Sequence, residues 1–198
     1  MSVSSGAARS TLLFGDREVG ITELNVMARF ERRLSQRIEI GAGLGALVGG
    51  GLTVNGVEQR FDTGVQVNAA ASGLAVAERE RVPFVLLSFA VSYARGQTSQ
   101  AAQPGLPAQD VTPYRALDAR LALAVGKTVG RFTMYAAGRV FGGPVNWQID
   151  GADVVGGDKF HRQAGLGLVC RLPRGFDVSA EGLALGEESA SAALGWSF

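Results

Sequence analysis

The sequence predicts an all-β fold, a single antiparallel up-and-down transmembrane β-barrel of about ten strands, with eight as the nearest alternative. Three observations predict it. Apolar and polar side chains alternate with period two through ten segments of the 198-residue chain. These segments span 8–16 residues, against a usual strand of about 5–6 and the roughly 9–11 that a tilted strand needs to cross a bilayer. The connections between them are alternately short and long, and the aromatic residues gather near segment ends, as in a barrel with turns on one rim and loops on the other.

The first segment, 8–15, is the weakest: ARSTLLFG, followed by the turn-forming Asp16 and Arg17, with residues 1–7 expected as an N-terminal tail. Residues 20–33 set Leu24, Val26, Ala28 and Phe30 against Glu23, Asn25, Arg29 and Glu31. In 37–51, RIEIGAGLGALVGGG, Ile38, Ile40, Ala42, Leu44, Ala46 and Val48 share one face, and Arg37, Glu39, Gly41, Gly43 and Gly45 the other. Gly41, Gly43 and Ala46 also fit the G-x-G-x-x-A of a dinucleotide loop. That loop must open a helix, and the three glycines at 49–51 would each cost a helix roughly 1 kcal/mol. The glycines therefore read as one wall of a strand.

Residues 60–75 oppose Phe61, Val65, Val67, Ala69 and Ala71 to Asp62, Gln66 and Asn68. Next, 82–95 has Val85, Leu87, Phe89, Val91 and Tyr93 facing Ser88, Ala90 and Ser92, and 115–126 sets Leu117, Leu121, Leu123 and Val125 against Asp118 and Arg120. The segments 131–141, 158–171, 175–186 and 189–198 continue the pattern, placing Arg139, His161, Asp177 and Glu181 opposite apolar neighbours. Long connections are expected at 49–59, 96–113 and 142–157. An even count of ten keeps both termini on the short-turn rim. Phe30, Phe84, Phe132, Phe176, Trp196 and Phe198 fall near that rim. Phe14, Phe61, Tyr93, Tyr114, Phe141 and Phe160 fall near the other, as two interfacial girdles would require.

Composition excludes several alternatives. A net charge of +1 offers no clustered basic face, so no nucleic-acid partner is expected. A lone Cys170 and a lone His161 allow neither an internal disulfide nor a thiolate or multi-histidine metal site, and no cofactor is expected. No run approaches the roughly 18 apolar residues of a spanning helix, and MSVSSGAARS lacks the apolar core of a signal peptide.

The last segment ends LGWSF, with apolar residues at alternate positions up to the terminal Phe198. This resembles the C-terminal strand signature of Gram-negative outer-membrane β-barrel proteins, a superfamily pattern tied to no single family. The resemblance implies residence in the bacterial outer membrane. It also implies contact with outer-membrane lipids and recognition by the barrel assembly machinery, with Leu194, Trp196 and Phe198 as the assembly signal. One domain, 1–198, is expected throughout.

If the apolar face meets lipid, the other face lines the bore. A lumen charge network of Glu23, Arg29, Glu39, Asp62, Asp118, Arg120, Arg139, His161, Asp177 and Glu181 is expected. In so narrow a barrel opposite charges pair, because lone charges in a low dielectric are costly. The function expected is a small structural barrel or a narrow porin-like channel. The alternatives are an outer-membrane barrel hydrolase, acting on protein or lipid, and a barrel component of a larger envelope complex, with loop 96–113 as the surface for an envelope partner. Catalytic residues are not assigned. His161 lacks the second acidic pair that ten-stranded omptin proteases use, and Arg162 and Gln163 follow it where a lipid A deacylase would have x-Ser.

Overall fold

The computed structural model describes residues 1–54, 56–100, 111–149 and 151–197. Its thirteen strands are β1 (Ser2–Phe14), β2 (Arg17–Arg33), β3 (Ile38–Val54), β4 (Val57–Phe61), β5 (Gly64–Val76), β6 (Phe84–Gln100), β7 (Thr112–Val129), β8 (Phe132–Gly142), β9 (Val145–Ile149), β10 (Ala152–Asp158), β11 (Arg162–Arg171), β12 (Phe176–Ala184) and β13 (Glu188–Trp196). Ten of these pair antiparallel in a ring, β1–β2–β3–β5–β6–β7–β8–β11–β12–β13 and back to β1. The seam joins the two ends of the chain: Ser2 lies opposite Gly195 and Arg9 opposite Glu188, and the Met1 ammonium donates to the Trp196 carbonyl at 2.8 Å. Residues 2–7 are thus the first half of β1 and not a tail. Their run of Ser, Gly and Ala hides the alternation that pairing with β2 and β13 imposes.

Side-chain orientation decides what surrounds this ring. Leu166 is 69% exposed and Leu44 62%, and they share the outer surface with Val26, Phe30, Val67, Phe89, Leu121, Val140 and Leu194. A water-soluble barrel would put these residues in its core, so the apolar outer face meets hydrocarbon. On β6 the outward run Val85, Leu87, Phe89, Val91 and Tyr93 ends at Arg95, and on β7 the run from Val125 to Leu117 ends at Arg115. Short turns at 34–37, 77–83, 130–131 and 172–175 close the opposite rim.

Wall height is uneven. The strands β2, β3, β6 and β7 are 17, 17, 17 and 18 residues long, whereas β8, β11, β12 and β13 have 11, 10, 9 and 9. Above the four short strands the β9–β10 hairpin bends into the gap, pairing with β7 at Arg115–Asn146 and Ala116–Val145 and with β1 at Leu12–Asp158 and Leu13–Gly157. On the other side β4 fills the place that β5 leaves, between β3 and β6. The long-loop end therefore forms a second ring of eight strands, β1–β2–β3–β4–β6–β7–β9–β10. The connections at 49–59 and 142–157 are thus largely strand rather than loop. Their five- and seven-residue strands are set between Gly, Pro and Asn, which masks so short a pattern.

Inside this second ring polarity inverts. The inward side of β1 runs Ser4, Gly6, Ala8, Ser10 and then Leu12 and Phe14, with no break in parity. Leu12, Phe14, Val19, Ile21, Leu47, Leu52, Phe61, Tyr114, Val145, Trp147 and Ile149 pack into one buried cluster across the mouth. A β-bulge at Val48 turns Leu52 inward after Leu47, because Leu24 pairs with Gly49 and Asn25 with Leu47. Four aromatics expected in an outer girdle are corrected here: Phe14, Phe61, Tyr114 and Phe141 face inward and are buried. Phe61 meets Tyr114 edge-on at 4.8 Å, and Trp147 tilts against Phe14 at 6.0 Å while its Nε1 donates to Thr98 Oγ1 at 3.0 Å.

Candidate functional site: the lumen and its outer closure

Immediately beneath the apolar cap lies a charged belt. Arg120, inward on β7, donates through both terminal nitrogens to the two carboxylate oxygens of Glu187, at 2.9 Å each, and through Nε to Asp118. Glu187 stands in the turn between β12 and β13, so this fork ties separate parts of the wall together across the bore. Gln163, only 2% exposed on β11, donates to Glu187 Oε1 at 3.0 Å and to Ser189 Oγ at 2.9 Å. Tyr114 donates its hydroxyl to Glu23 at 3.0 Å, which links the cap to the belt. The remaining space, about 60 Å³, is lined by Glu23, Tyr114, Asp118, Arg120, Asp158 and Glu187. That is room for a few waters.

Asp158 belongs to β10, outside the ten spanning strands. Burial pushes its carboxyl up to about 6, and the nearby charge of Asp118 adds to the shift. A second belt lies further down. Arg139 on β8 donates to Glu181 on β12, and the Tyr135 hydroxyl donates to the other oxygen of the same carboxylate at 3.0 Å. The Tyr135 ring lies along the inner wall over its ladder partner Gly167, where a Cβ would overlap its ring atoms, and so reaches Glu181 one strand further on. Gly41 and Gly43 make room in the same way, for Arg29 and Glu31 and for Met27 and Asn68. Arg29 pairs with Glu31 at 3.3 Å.

Below the second belt the bore widens toward the short-turn rim. A space of about 930 Å³ opens there between Glu31, Arg32, Arg33, Glu39, Arg171 and Asp177. Glu39 and Asp177 are half-buried at this mouth, and Asp177 rests on Gly195. The rim carries its own ties: Lys127 Nζ donates to the carbonyls of Arg79 and Glu80, and Glu78 accepts from the Thr128 amide at 2.8 Å.

Two residues expected in the lumen network lie outside it. Asp62 is exposed in the link between β4 and β5, where it accepts from Ser99 Oγ at 3.2 Å, because the strand breaks at 62–63 and resets the alternation. His161 is exposed at the long-loop rim ahead of β11, its Nδ1 3.1 Å from the Phe141 carbonyl. Sequence reasoning missed Glu187, Tyr114 and Gln163. Glu187 follows Gly186 in what reads as a turn, and Tyr114 reads as interfacial. The parity of Gln163 with Gly165 and Gly167 was the available signal for the third. Leu194 and Trp196 are exposed on the outer face, where Trp196 stacks on Phe176 at 5.9 Å, and Phe198 lies outside the described residues. The part of the expected partner loop at 101–110 also lies outside them.

No family model matches the chain, and no curated protein matches it in sequence. Solved structures do match in fold. The translocator domain of the autotransporter NalP from Neisseria meningitidis aligns over 100% of this chain and 88% of its own, with 9% identity and a TM-score of 0.54. The transport unit of the autotransporter AIDA-I from Escherichia coli aligns over 100% and 89%, with 11% identity and a TM-score of 0.51. The outer membrane protease OmpT from Escherichia coli aligns over 98% and 91%, with 10% identity and a TM-score of 0.52. At these identities the likeness is one of fold. The chain is an all-β antiparallel barrel, and it shares its fold with these outer-membrane barrels.

Proposed function

We propose that this protein is a plugged structural barrel of the outer membrane, closed toward the outside and open as a blind vestibule toward the periplasm. One observation carries the reading: the apolar cluster of the eight-strand ring fills the outer mouth. A bore that conducts ions presents polar groups and water along its whole length. Here Trp147, Tyr114 and Leu52 are buried together in that apolar cluster, where a conducting path would need polar groups. The two charged belts beneath support the same reading, since their carboxylates and guanidinia are spent on each other. A narrow porin-like channel would require the β9–β10 hairpin to leave its place. Planar-bilayer recording tests this directly. Wild-type protein is expected to give no discrete conductance steps, and deletion of 144–157 is expected to produce them. Steady openings of the unaltered barrel would overturn the proposal.

On the same reading the protein is not a hydrolase. The His161 ring is exposed at the rim and engages a backbone carbonyl, and the carboxylates of the belts are held by Arg120 and Arg139. His161→Ala is expected to leave unchanged any hydrolysis of peptide or ester substrates measured in detergent. Loss of a measurable activity in that variant would favour the enzyme.

A further inference from the structure

Two arginines stand side by side on the outside of the barrel, at the upper limit of its apolar band. Arg95 of β6 and Arg115 of β7 are direct partners in the antiparallel register, both exposed and both on the outward face. Partners of this kind hold their Cβ atoms about 4.5–5.5 Å apart, where like charges repel. Val65 lies beside Arg95 and Asn146 beside Arg115. Tyr93 and Leu117 are one step toward the bilayer, and Gln97 and Pro113 one step away from it. None of these is acidic. Among the described residues, the ion pairs that form involve neither guanidinium. Inside the barrel, by contrast, Arg29, Arg120 and Arg139 each have a carboxylate.

Their height points to the kind of anion that would meet them. Below them the outward faces of both strands are apolar through 85–93 and 117–125, so the two guanidinia sit where hydrocarbon gives way to headgroups. The long-loop rim faces outward from the cell in a barrel of this build. Each guanidinium offers a planar fork of donors suited to the oxygens of a phosphate, and a dianion matches two adjacent cations better than a carboxylate does. We propose that Arg95 and Arg115 together clamp the phosphate of an outer-leaflet lipid headgroup. This holds whether the lumen is open or plugged.

The test uses the full chain folded in detergent: wild type, Arg95→Gln, Arg115→Gln, the double variant, and Arg9→Gln as an outward arginine elsewhere. Folding is checked by gel migration before and after boiling. A bisphosphorylated lipid A-type glycolipid, its dephosphorylated counterpart, phosphatidylglycerol and inorganic phosphate are added in turn. Bound lipid is read by native mass spectrometry, and the unfolding midpoint is followed in parallel. Wild type and Arg9→Gln are expected to retain the phosphorylated glycolipid, and the double variant to bind it at least about tenfold more weakly. If the double variant does not fold, the single variants carry the test, each with an intermediate loss. Retention of phosphatidylglycerol that disappears in the same variants also supports the clamp. Three results would overturn it: undiminished binding by the variants, equal binding of the dephosphorylated lipid, or an equal midpoint shift from inorganic phosphate at the same concentration.

Discussion

Arg120 divides its donors between Asp118 on its own strand and Glu187 across the bore. Replacing it with Met would leave two carboxylates facing each other without a cation. A loss of about 3 kcal/mol is expected, at the low end for a broken buried pair because part of the side chain is solvated. Denaturant unfolding in detergent would measure it. Glu187→Gln combined with Arg120→Met should cost less than the sum of the two single changes. Two other carboxyls set a pH dependence. The Thr128 amide, with Lys127 nearby, holds Glu78 below the usual carboxylate range. Its contribution is complete above the unfolded value and is lost as pH falls through the lowered one. Asp158 behaves in the opposite sense: its raised value of about 6 means the folded state holds the proton more tightly. Stability from this group therefore declines as pH rises from about 4 to about 6. Thermal midpoints of Glu78→Gln and Asp158→Asn between pH 3 and 8 should each lose one limb of the profile. Alternation in the sequence placed Asp118, Arg120, Arg139 and Glu181 on the inner face, where they are found. It could not pair them, since pairing depends on which strands meet around the ring, and it had no register for a residue such as Glu187 that stands in a turn.

At the scale of elements, the β9–β10 hairpin does the most with the fewest ladder bonds, since it is held to β7 and β1 by two residue pairs each. Its hold therefore rests on Val145, Trp147 and Ile149 in the cap. Trp147→Ala is expected to cost about 3–5 kcal/mol, as for large aromatic truncations in cores, and to raise amide exchange across 145–158 ahead of the spanning strands. Uniform exchange through the whole chain would mean that cap and barrel unfold as one. The ten spanning strands were legible because a strand with lipid on one side must alternate over many residues. The cap strands were not. With five or seven residues each they offer too few repeats to count, and their inward face is apolar where the inward face of the spanning strands is polar. The same rule made the inward Phe14, Phe61 and Tyr114 look interfacial.

For the whole molecule, the outer surface divides into an apolar band and a polar crown, and the inner surface divides in the reverse order. A bilayer accounts for the first inversion and water above it for the second. The folded protein in detergent is expected to migrate differently on gels before and after boiling, as a hydrogen-bonded ring that detergent does not open should. Identical migration would argue against a ring that survives detergent. Outward arginines at 9, 60, 95, 115 and 162 are exposed on the wall of the long-loop end.

The seam between β1 and β13 has a kinetic consequence. Residues 2–9 find one of their two neighbours only in residues 188–195, so throughout synthesis and transit one edge of the first strand stays without a ladder partner. An open edge of that kind invites pairing with any extended stretch nearby. Closing the ring therefore waits on residues 188–195, and until they pair with 2–9 that edge stays open.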